Sequence, residues 1–313
     1  MVPVPVFGVV ARTEGGRRLL TPDGLRRWTQ GWLDSVSPSD WWISQSDGVA
    51  VLRPEVVLDR DDGCQAVLGI RGAVSQGGRR EPPDAWPGVP PAMGTSTILY
   101  DLLERDTAAI DALRGQFALA FWDGRRRRLL LSRDHLGQRA MFVRHDPDTI
   151  TFCSDLAPLL TAMRWSCVLD PEGALWYLAF GMPPPGRTLA VSIDRVPAAH
   201  ALSCEPGKPP VVMRYWTPLA PDAPLDADDL VLAALRTAVD EAVARMLPEN
   251  QEVGLLLSGG VDSTYLAATA VRMGSAVRAF TSAFIPGYGM NETEYATAVA
   301  DWLKLPPSSP VMA

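Results

Sequence analysis

The sequence predicts an α+β domain organised around antiparallel strands, followed by the first part of an α/β domain with a parallel sheet. Three observations carry that reading. Between Phe117 and Ser154, apolar runs alternate with turn residues in the manner of a β-meander. Between Glu205 and Pro224, proline and glycine concentrate and mark a boundary between two units. Beyond Asp226, helical and extended patterns alternate in the order expected of a parallel sheet covered on both faces.

The meander begins with Phe117 to Trp122, turns at Asp123-Gly124 and continues with Leu129 to Ser132. Gly137 closes the next connection, Ala140 to Val143 reads as a third strand, His145-Asp146-Pro147-Asp148 as a turn and Ile150 to Cys153 as a fourth. All four are expected in one sheet. Helical patterns follow at Leu156 to Met163 and Glu172 to Phe180, and the proline-rich Met182 to Gly186 must be loop. In the second unit Asp226 is a candidate N-cap, and Asp228 and Asp229 suit the positive end of a helix. Leu232, Leu235, Val239, Val243 and Met246 then recur at helical spacing until Pro248 stops the run. A buried strand at Val253 to Leu257, a glycine turn, a helix from Thr264 to Met273, a strand at Val277 to Phe284 and a helix at Glu292 to Leu303 complete the pattern.

The 313 residues, 47% hydrophobic and 21% charged, suffice for at least one sizeable core and exclude a disordered chain. A net charge of −7 removes any general attraction to phosphate backbones or anionic membranes, so neither nucleic acid nor a membrane is expected as a partner. No apolar run reaches the roughly 18 residues of a membrane span, and the start Met-Val-Pro-Val-Pro-Val lacks the basic segment of an export signal. Cys64, Cys153, Cys167 and Cys204 show no C-x-x-C spacing, and His135, His145 and His200 are scattered. This speaks against a zinc site and for a cytoplasmic protein with reduced thiols. The only lysines are Lys208 and Lys304, and neither sits in a G-x-x-x-x-G-K-[ST] frame, which excludes a Walker-type phosphate loop.

Chemistry concentrates in Leu255-Leu256-Leu257-Ser258-Gly259-Gly260-Val261-Asp262-Ser263. A strand delivers the chain to a turn in which two glycines remove every Cβ, and the next helix starts with its free N–H groups facing the same space. That is an anion cradle. Ser258 and Ser263 are expected to add hydroxyl donors, so a pyrophosphate can be held without lysine. A carboxylate inside a phosphate nest is repelled by its ligand unless a divalent cation lies between them, which assigns Asp262 to Mg²⁺. The bland alternative is a plain Gly-Gly turn capped by serine and aspartate. The full S-G-G-x-D-S between a strand and an apolar helix favours nucleotide binding by Leu257, Ser258, Gly259, Gly260, Val261, Asp262 and Ser263.

Ser258 to Ser263 resembles the pyrophosphate-loop signature of ATP pyrophosphatases, and the remainder resembles the asparagine synthetase family. Leu113-Arg114-Gly115-Gln116-Phe117-Ala118-Leu119-Ala120-Phe121-Trp122-Asp123 is similar to that family's L-x-G-x-F-A-F-A-L-W-D strand. Leu131-Ser132-Arg133-Asp134-His135-Leu136-Gly137 is similar to its L-A-R-D-R-x-G turn, and Tyr215-Trp216 to the Y-W that closes its first domain. The resemblance implies an N-terminal Ntn (class II glutamine amidotransferase-like) domain over residues 1–216, two antiparallel sheets between helices. It further implies the N-terminal part of an ATP-pyrophosphatase domain over residues 217–313, using ATP and Mg²⁺ to activate a carboxylate.

Two departures bear on activity. The family's glutaminase uses a cysteine directly after the initiator Met, with the free α-amino group as its base. Here that residue is Val2, so no glutaminase nucleophile is assignable. The family's S-D-x-E, which binds the amino group of glutamine, is replaced by Gly94-Thr95-Ser96-Thr97. Together these losses imply a dead glutaminase domain, with a misassigned start codon as the competing explanation. Without ammonia, the activated carboxylate must meet an amine carried by the substrate, as in the resembling β-lactam synthetases and lasso peptide cyclases. The expected reaction is adenylation of a small-molecule or precursor-peptide carboxylate, with loss of pyrophosphate, then amine attack with loss of AMP. A glutamine-hydrolysing asparagine synthetase and a non-catalytic scaffold are the alternatives. Family members continue beyond this length through an acidic segment with further Mg²⁺ ligands. The 313 residues are therefore expected to be a fragment, or to be completed by a partner protein, and to be inactive alone. A peptide-processing enzyme is a further candidate partner; the sequence does not set the oligomeric state.

Other signals have blander readings. Arg125 to Arg128 reads as a solvated hairpin tip, and Arg133 with Asp134 as an ion pair or turn contact. Trp28, Trp32, Trp41 and Trp42 read as core or interface anchors, with a peptide-binding face as the alternative. Asp59, Asp61 and Asp62 read as a solvated loop, and Glu292 and Glu294 as helix-opening carboxylates.

Overall fold

The structure, a computed structural model, describes residues 6–12, 17–18, 20–21, 25, 41–44, 47, 49–52, 56–59, 65–76, 98, 102–162, 167–205, 208–218, 228–247, 252–283, 291–306 and 309–312. Val2, Gly94 to Thr97, Cys64, Trp28, Trp32, Asp61, Asp62 and Asp226 lie outside the described residues. The chain divides into two units, Met1–Leu219 and Ala220–Ala313.

Twelve described strands of the first unit form two antiparallel sheets. One contains β1 (Phe7–Ala11), β2 (Trp41–Ser44), β3 (Val49–Leu52), β8 (Phe142–His145), β9 (Thr149–Cys153) and β10 (Ile193–Arg195), in the order β10-β8-β9-β1-β3-β2. The other contains β4 (Val56–Asp59), β5 (Gln65–Gln76), β6 (Leu113–Asp123), β7 (Arg128–Arg133), β11 (His200–Cys204) and β12 (Val211–Arg214), in the order β12-β11-β7-β6-β5-β4. Strand alternation sends Val10, Val49, Val51 and Phe152 from one sheet, and Val67, Ala118, Trp122 and Leu131 from the other, into a shared buried core. The second sheet's outer face, with Phe117, Leu119 and Phe121, packs on Leu102 and on Ile110 of helix α1 (Thr107–Asp111). The first sheet's outer face, with Phe7 and Val9, packs on Leu20, Leu25 and Leu159, the last from α2 (Leu156–Ala162). α3 (Pro171–Phe180) follows α2 along the chain. Two stacked antiparallel sheets therefore lie between helical layers. Trp41 is buried edge-on against Phe7, their ring centres 5.7 Å apart, and Trp42 packs partly buried against the inter-sheet core.

The four-stranded meander is corrected. β6 pairs with β7 and β8 with β9, but β7 takes β11 as its other neighbour and β8 takes β10, so the chain changes sheets after Arg133. The cause is the turn itself. Asp134, fully buried, accepts backbone N–H groups from Phe117, Leu136, Gln138 and Arg139 at 2.9–3.2 Å, which folds the chain back on its own carboxylate. The Arg133 guanidinium donates to the carbonyls of Arg139, Gly137 and Val196. Arg133 and Asp134 thus organise the turn through backbone contacts. Tyr215 donates its hydroxyl to the Arg133 carbonyl, and His135 stands edge-on to the rings of Tyr215 and Trp216 at 5.5 and 5.1 Å.

Two further readings change. The expected boundary from Glu205 contains β12, which pairs only with β11 at the edge, where the preceding Pro209-Pro210 breaks no ladder. The Arg125 to Arg128 tip is exposed at Arg125 and Arg126, as expected, and half-buried at Arg127 and Arg128. Asp123 accepts the amides of Arg125 and Arg126, Arg126 also reaches the Leu103 carbonyl, Arg127 that of Asp47, and Arg128 pairs with Asp106 at 2.7 Å.

The second unit contains α4 (Asp228–Met246), β13 (Val253–Leu256), α5 (Val261–Arg272), β14 (Val277–Ala283), α6 (Thr293–Trp302) and β15 (Ser309–Met312). The three strands are parallel in the order β13-β14-β15. β15 is a strand that the proline-rich sequence Pro306 to Pro310 hides. As an outer neighbour of β14 it accommodates Pro310 opposite Thr281. Ala267 of α5 and Ala296 and Ala300 of α6 bury Leu257 and Ala279 on one face of the sheet. Coverage of both faces is not observed among the described residues, because Leu256 on the other face is 75% exposed. The expected buried strand is half-covered, alternating along Val253–Leu256. Along α4 the apolar stripe is also mostly exposed, with Val243 buried but Leu232, Leu235 and Met246 open to solvent.

Candidate functional site

The S-G-G-x-D-S segment joins β13 to α5. Leu257 continues the strand by one residue: its N–H donates to the Phe280 carbonyl at 2.8 Å, and its carbonyl accepts the buried Thr281 hydroxyl at 2.9 Å. β14 therefore holds the end of the strand from the side. At Gly259 φ is +80°, which glycine adopts without steric cost. A Cβ built there would lie 2.5 Å from Tyr295 Cβ, 2.6 Å from the Tyr295 carbonyl carbon and 2.8 Å from Ala296 N. Only a residue without a side chain lets the loop and α6 approach this closely. Gly260, in extended geometry, is the N-cap of α5 and provides no side-chain cap.

The helix consequently begins with Val261, Asp262 and Ser263 in its first turn, and their N–H groups have no partner among the described residues. Unpartnered N–H groups and the positive end of a helix dipole favour negative charge at this open end. Val261 is 86% exposed and Asp262 is exposed, while Leu257 is buried at the base. No three His, Cys, Asp or Glu side chains converge as a metal cluster among the described residues.

The serines behave differently from the expectation. Ser258 Oγ lies 3.0 Å from Ser263 Oγ and accepts the Gly260 N–H; Ser263 Oγ donates to the Gly260 carbonyl and accepts the Ser258 N–H at 3.4 Å. The hydroxyls are engaged in stapling the turn shut across five residues and take up the Ser258 and Gly260 amides, which leaves the Val261, Asp262 and Ser263 amides without an acceptor among the described residues. The structure places all seven predicted residues, Leu257 to Ser263, in one connection between β13 and α5, as their contiguity requires. Sequence reasoning missed Thr281 and Tyr295, whose roles depend on contacts 24 and 36 positions from Leu257 and Gly259; a β-branched residue in a strand and an aromatic in a helix give no local sign of them. Beside the loop, between α5 and α6, an apolar hollow of ≈ 420 Å³ is lined by residues including Val261, Tyr265, Val299 and Trp302.

Comparison with known proteins follows the division into units. Residues 92–216 match the family model described as a glutamine amidotransferase domain, and residues 234–312 match that described as asparagine synthase. The chain joins a glutamine amidotransferase-type region to an asparagine synthase-type region. The S-G-G-x-D-S loop falls inside the synthase-type region, and the Arg133-Asp134 turn and Tyr215-Trp216 inside the amidotransferase-type region. Among relatives, "Asparagine synthetase [glutamine-hydrolyzing] 3" of Bacillus subtilis is 30% identical over 56% of this chain and 28% of its own length. A putative glutamine-hydrolysing asparagine synthetase of Mycobacterium bovis is 27% identical over 62% of this chain and 31% of its own. The carboxyethyl-arginine beta-lactam-synthase of Streptomyces clavuligerus is 30% identical over 70% of this chain and 40% of its own. The chain thus spans less than half the length of these relatives.

Proposed function

We propose that this chain belongs to an ATP-dependent ligase that forms an amide bond by adenylating a substrate carboxylate, and that the β13–α5 turn holds the pyrophosphate portion of ATP. The observation that carries this reading is the open first turn of α5, whose three N–H groups meet no protein acceptor among the described residues at the end of a parallel strand. Attack of the carboxylate oxygen on the α-phosphorus forms the acyl-adenylate and expels pyrophosphate, whose growing charge the fixed amide dipoles stabilise. Asp262 suits an oxygen-ligated divalent ion, because Mg²⁺ takes one or two carboxylates and completes its shell with water and phosphate oxygens. Mg²⁺ bound there would offset the repulsion between that carboxylate and the polyphosphate.

The nucleophile of the second step is assigned to an amine of the substrate, because Gly94 to Thr97 carry no carboxylate to anchor the amino group of glutamine. The finer reading is a lasso-type peptide macrolactam cyclase acting on a precursor peptide, with this chain alone inactive. The similarity to a beta-lactam-synthase over 70% of the chain favours β-lactam closure as the second reading. Isotope exchange between pyrophosphate and ATP, with the protein, its completing polypeptide and Mg²⁺, tests the common step. Carboxylate-dependent exchange that is lost in Asp262→Ala supports it, and no exchange with any carboxylate substrate leaves the loop a structural turn. Ammonia release from glutamine would restore the asparagine synthetase alternative.

A further inference from the structure

The backbone ladder between β13 and β14 stops before the two strands part. Leu257 follows β13, and its N–H still donates to the Phe280 carbonyl at 2.8 Å. In a parallel ladder the next bond would bring a β14 amide to the Leu257 carbonyl. Among the described residues no backbone amide reaches that carbonyl; the Thr281 hydroxyl donates to it instead, at 2.9 Å. Leu257 and Thr281 are 1% and 2% exposed, so this bond is closed to solvent.

The Leu257 carbonyl and the Ser258 N–H belong to one planar trans peptide and point in opposite directions. The carbonyl is held from β14, and the N–H reaches Ser263 Oγ, in the first turn of α5, at 3.4 Å. Ser263 Oγ in turn donates at 3.2 Å to the carbonyl of Gly260, the N-cap. A continuous path of hydrogen bonds therefore runs from a side chain in β14, through one rigid peptide, to the turn that presents the Val261, Asp262 and Ser263 amides. Thr281 is buried and its hydroxyl is engaged below the turn, so it acts on the open helix end only through that path. Removing the hydroxyl leaves a buried carbonyl without a partner, which favours rotation of the peptide away from its present orientation.

We infer that Thr281 is a positioning residue for the open N-terminal end of α5, its hydroxyl fixing the peptide between Leu257 and Ser258 and, through Ser263, the direction of the first-turn amides. The inference rests on the pyrophosphate reading of the β13–α5 turn and adds to it a residue from outside that turn. Inorganic pyrophosphate with Mg²⁺ is the probe, titrated into the full chain and followed by the amide resonances of Val261, Asp262 and Ser263. Thr281→Val keeps the branched shape and removes the hydroxyl, whereas Thr281→Ser keeps the hydroxyl. Thr281→Val is expected to weaken pyrophosphate binding about 10-fold, the weight of one ordinary hydrogen bond. Thr281→Ser is expected to stay within about 2-fold of the wild type. Gly274→Ala strains the far end of α5, where φ is +83°, and is expected to lower the melting temperature without changing the affinity. All titrations are run below the onset of thermal unfolding, and Thr281→Ala replaces Thr281→Val if that variant does not fold. Wild-type affinity in Thr281→Val, or equal weakening in Thr281→Ser or Gly274→Ala, would overturn the role of the hydroxyl while leaving the pyrophosphate reading in place. No binding by the wild type would overturn both.

Discussion

Gly259→Ala isolates the two demands that the candidate nucleotide loop makes on its backbone. At φ +80° a methyl-bearing residue meets the left-handed strain of roughly 1–2 kcal/mol. The new Cβ also falls within 2.5–2.8 Å of Tyr295 Cβ, Tyr295 C and Ala296 N, and overpacking of this kind costs about 1–3 kcal/mol more. The sum, roughly 2–5 kcal/mol, is a large share of the ~5–15 kcal/mol that holds a domain together. Gly274 supplies the control: it has φ +83° and nothing within 4 Å of an added methyl, so Gly274→Ala carries the strain without the collision. Urea unfolding of the two variants, followed by amide exchange in α5 and β14, is expected to show Gly259→Ala the less stable by about 1–3 kcal/mol. Adding Tyr295→Gly should recover only part of the loss, because two of the three close atoms are backbone. Equal stabilities for the two alanine variants would refute the close approach of loop and helix. Pyrophosphate affinity measured on the same samples should fall with Gly259→Ala if the amides of Val261 to Ser263 are displaced.

Other expectations follow from the first unit. Asp134→Ala leaves four backbone amides without their carboxylate, and since only the Phe117 bond is fully buried the orphan cost of about 1–3 kcal/mol applies in full to that amide, with water compensating part of the others, so the loss should be at least ~1 kcal/mol; an unfolding midpoint equal to wild type would contradict the turn's role. Burial first, and Arg114 second, hold His135 below its usual pKa despite Asp111 and Asp134. Its neutral form is therefore favoured in the folded state, and its contribution should be complete above pH 6.5 and decline as pH falls from there through the lowered value. Thermal melts of wild type and His135→Gln across that window should converge toward acid, and divergence would show the sign to be wrong. Burial pushes the Cys204 thiol up to about 12, whereas Cys167 is exposed. A thiol reagent at pH 8 should label Cys167 in the native protein and reach Cys204 only after unfolding, as read by peptide mass mapping.

The strands and helices were legible wherever periodicity and turn residues are local. β6, β7 and β9, the helices after Ser154 and the β13–α5 turn appear within a few residues of their expected positions. The β13–α5 turn was most legible of all, because a strand end, two glycines and a helix start follow one another directly in the chain. Less legible were elements whose local composition argues against them. β15 contains Pro310 and follows a proline-rich stretch, and it exists because β14 offers an open edge.

From sequence alone came the alternation of elements, the absence of a lysine phosphate loop in these 313 residues and the contiguity of Leu257 to Ser263 between a strand and a helix. The tertiary structure decided which sheet each strand joins, because pairing partners are chosen by contacts between distant segments: Arg133 reaches Val196, and β7 lies beside β11 instead of β8. It also decided that Ser258 and Ser263 satisfy each other and that Thr281 and α6 brace the loop. Backbone propensity acts over a few residues, whereas hydrogen-bond satisfaction and burial are settled only when segments far apart in the chain come into contact.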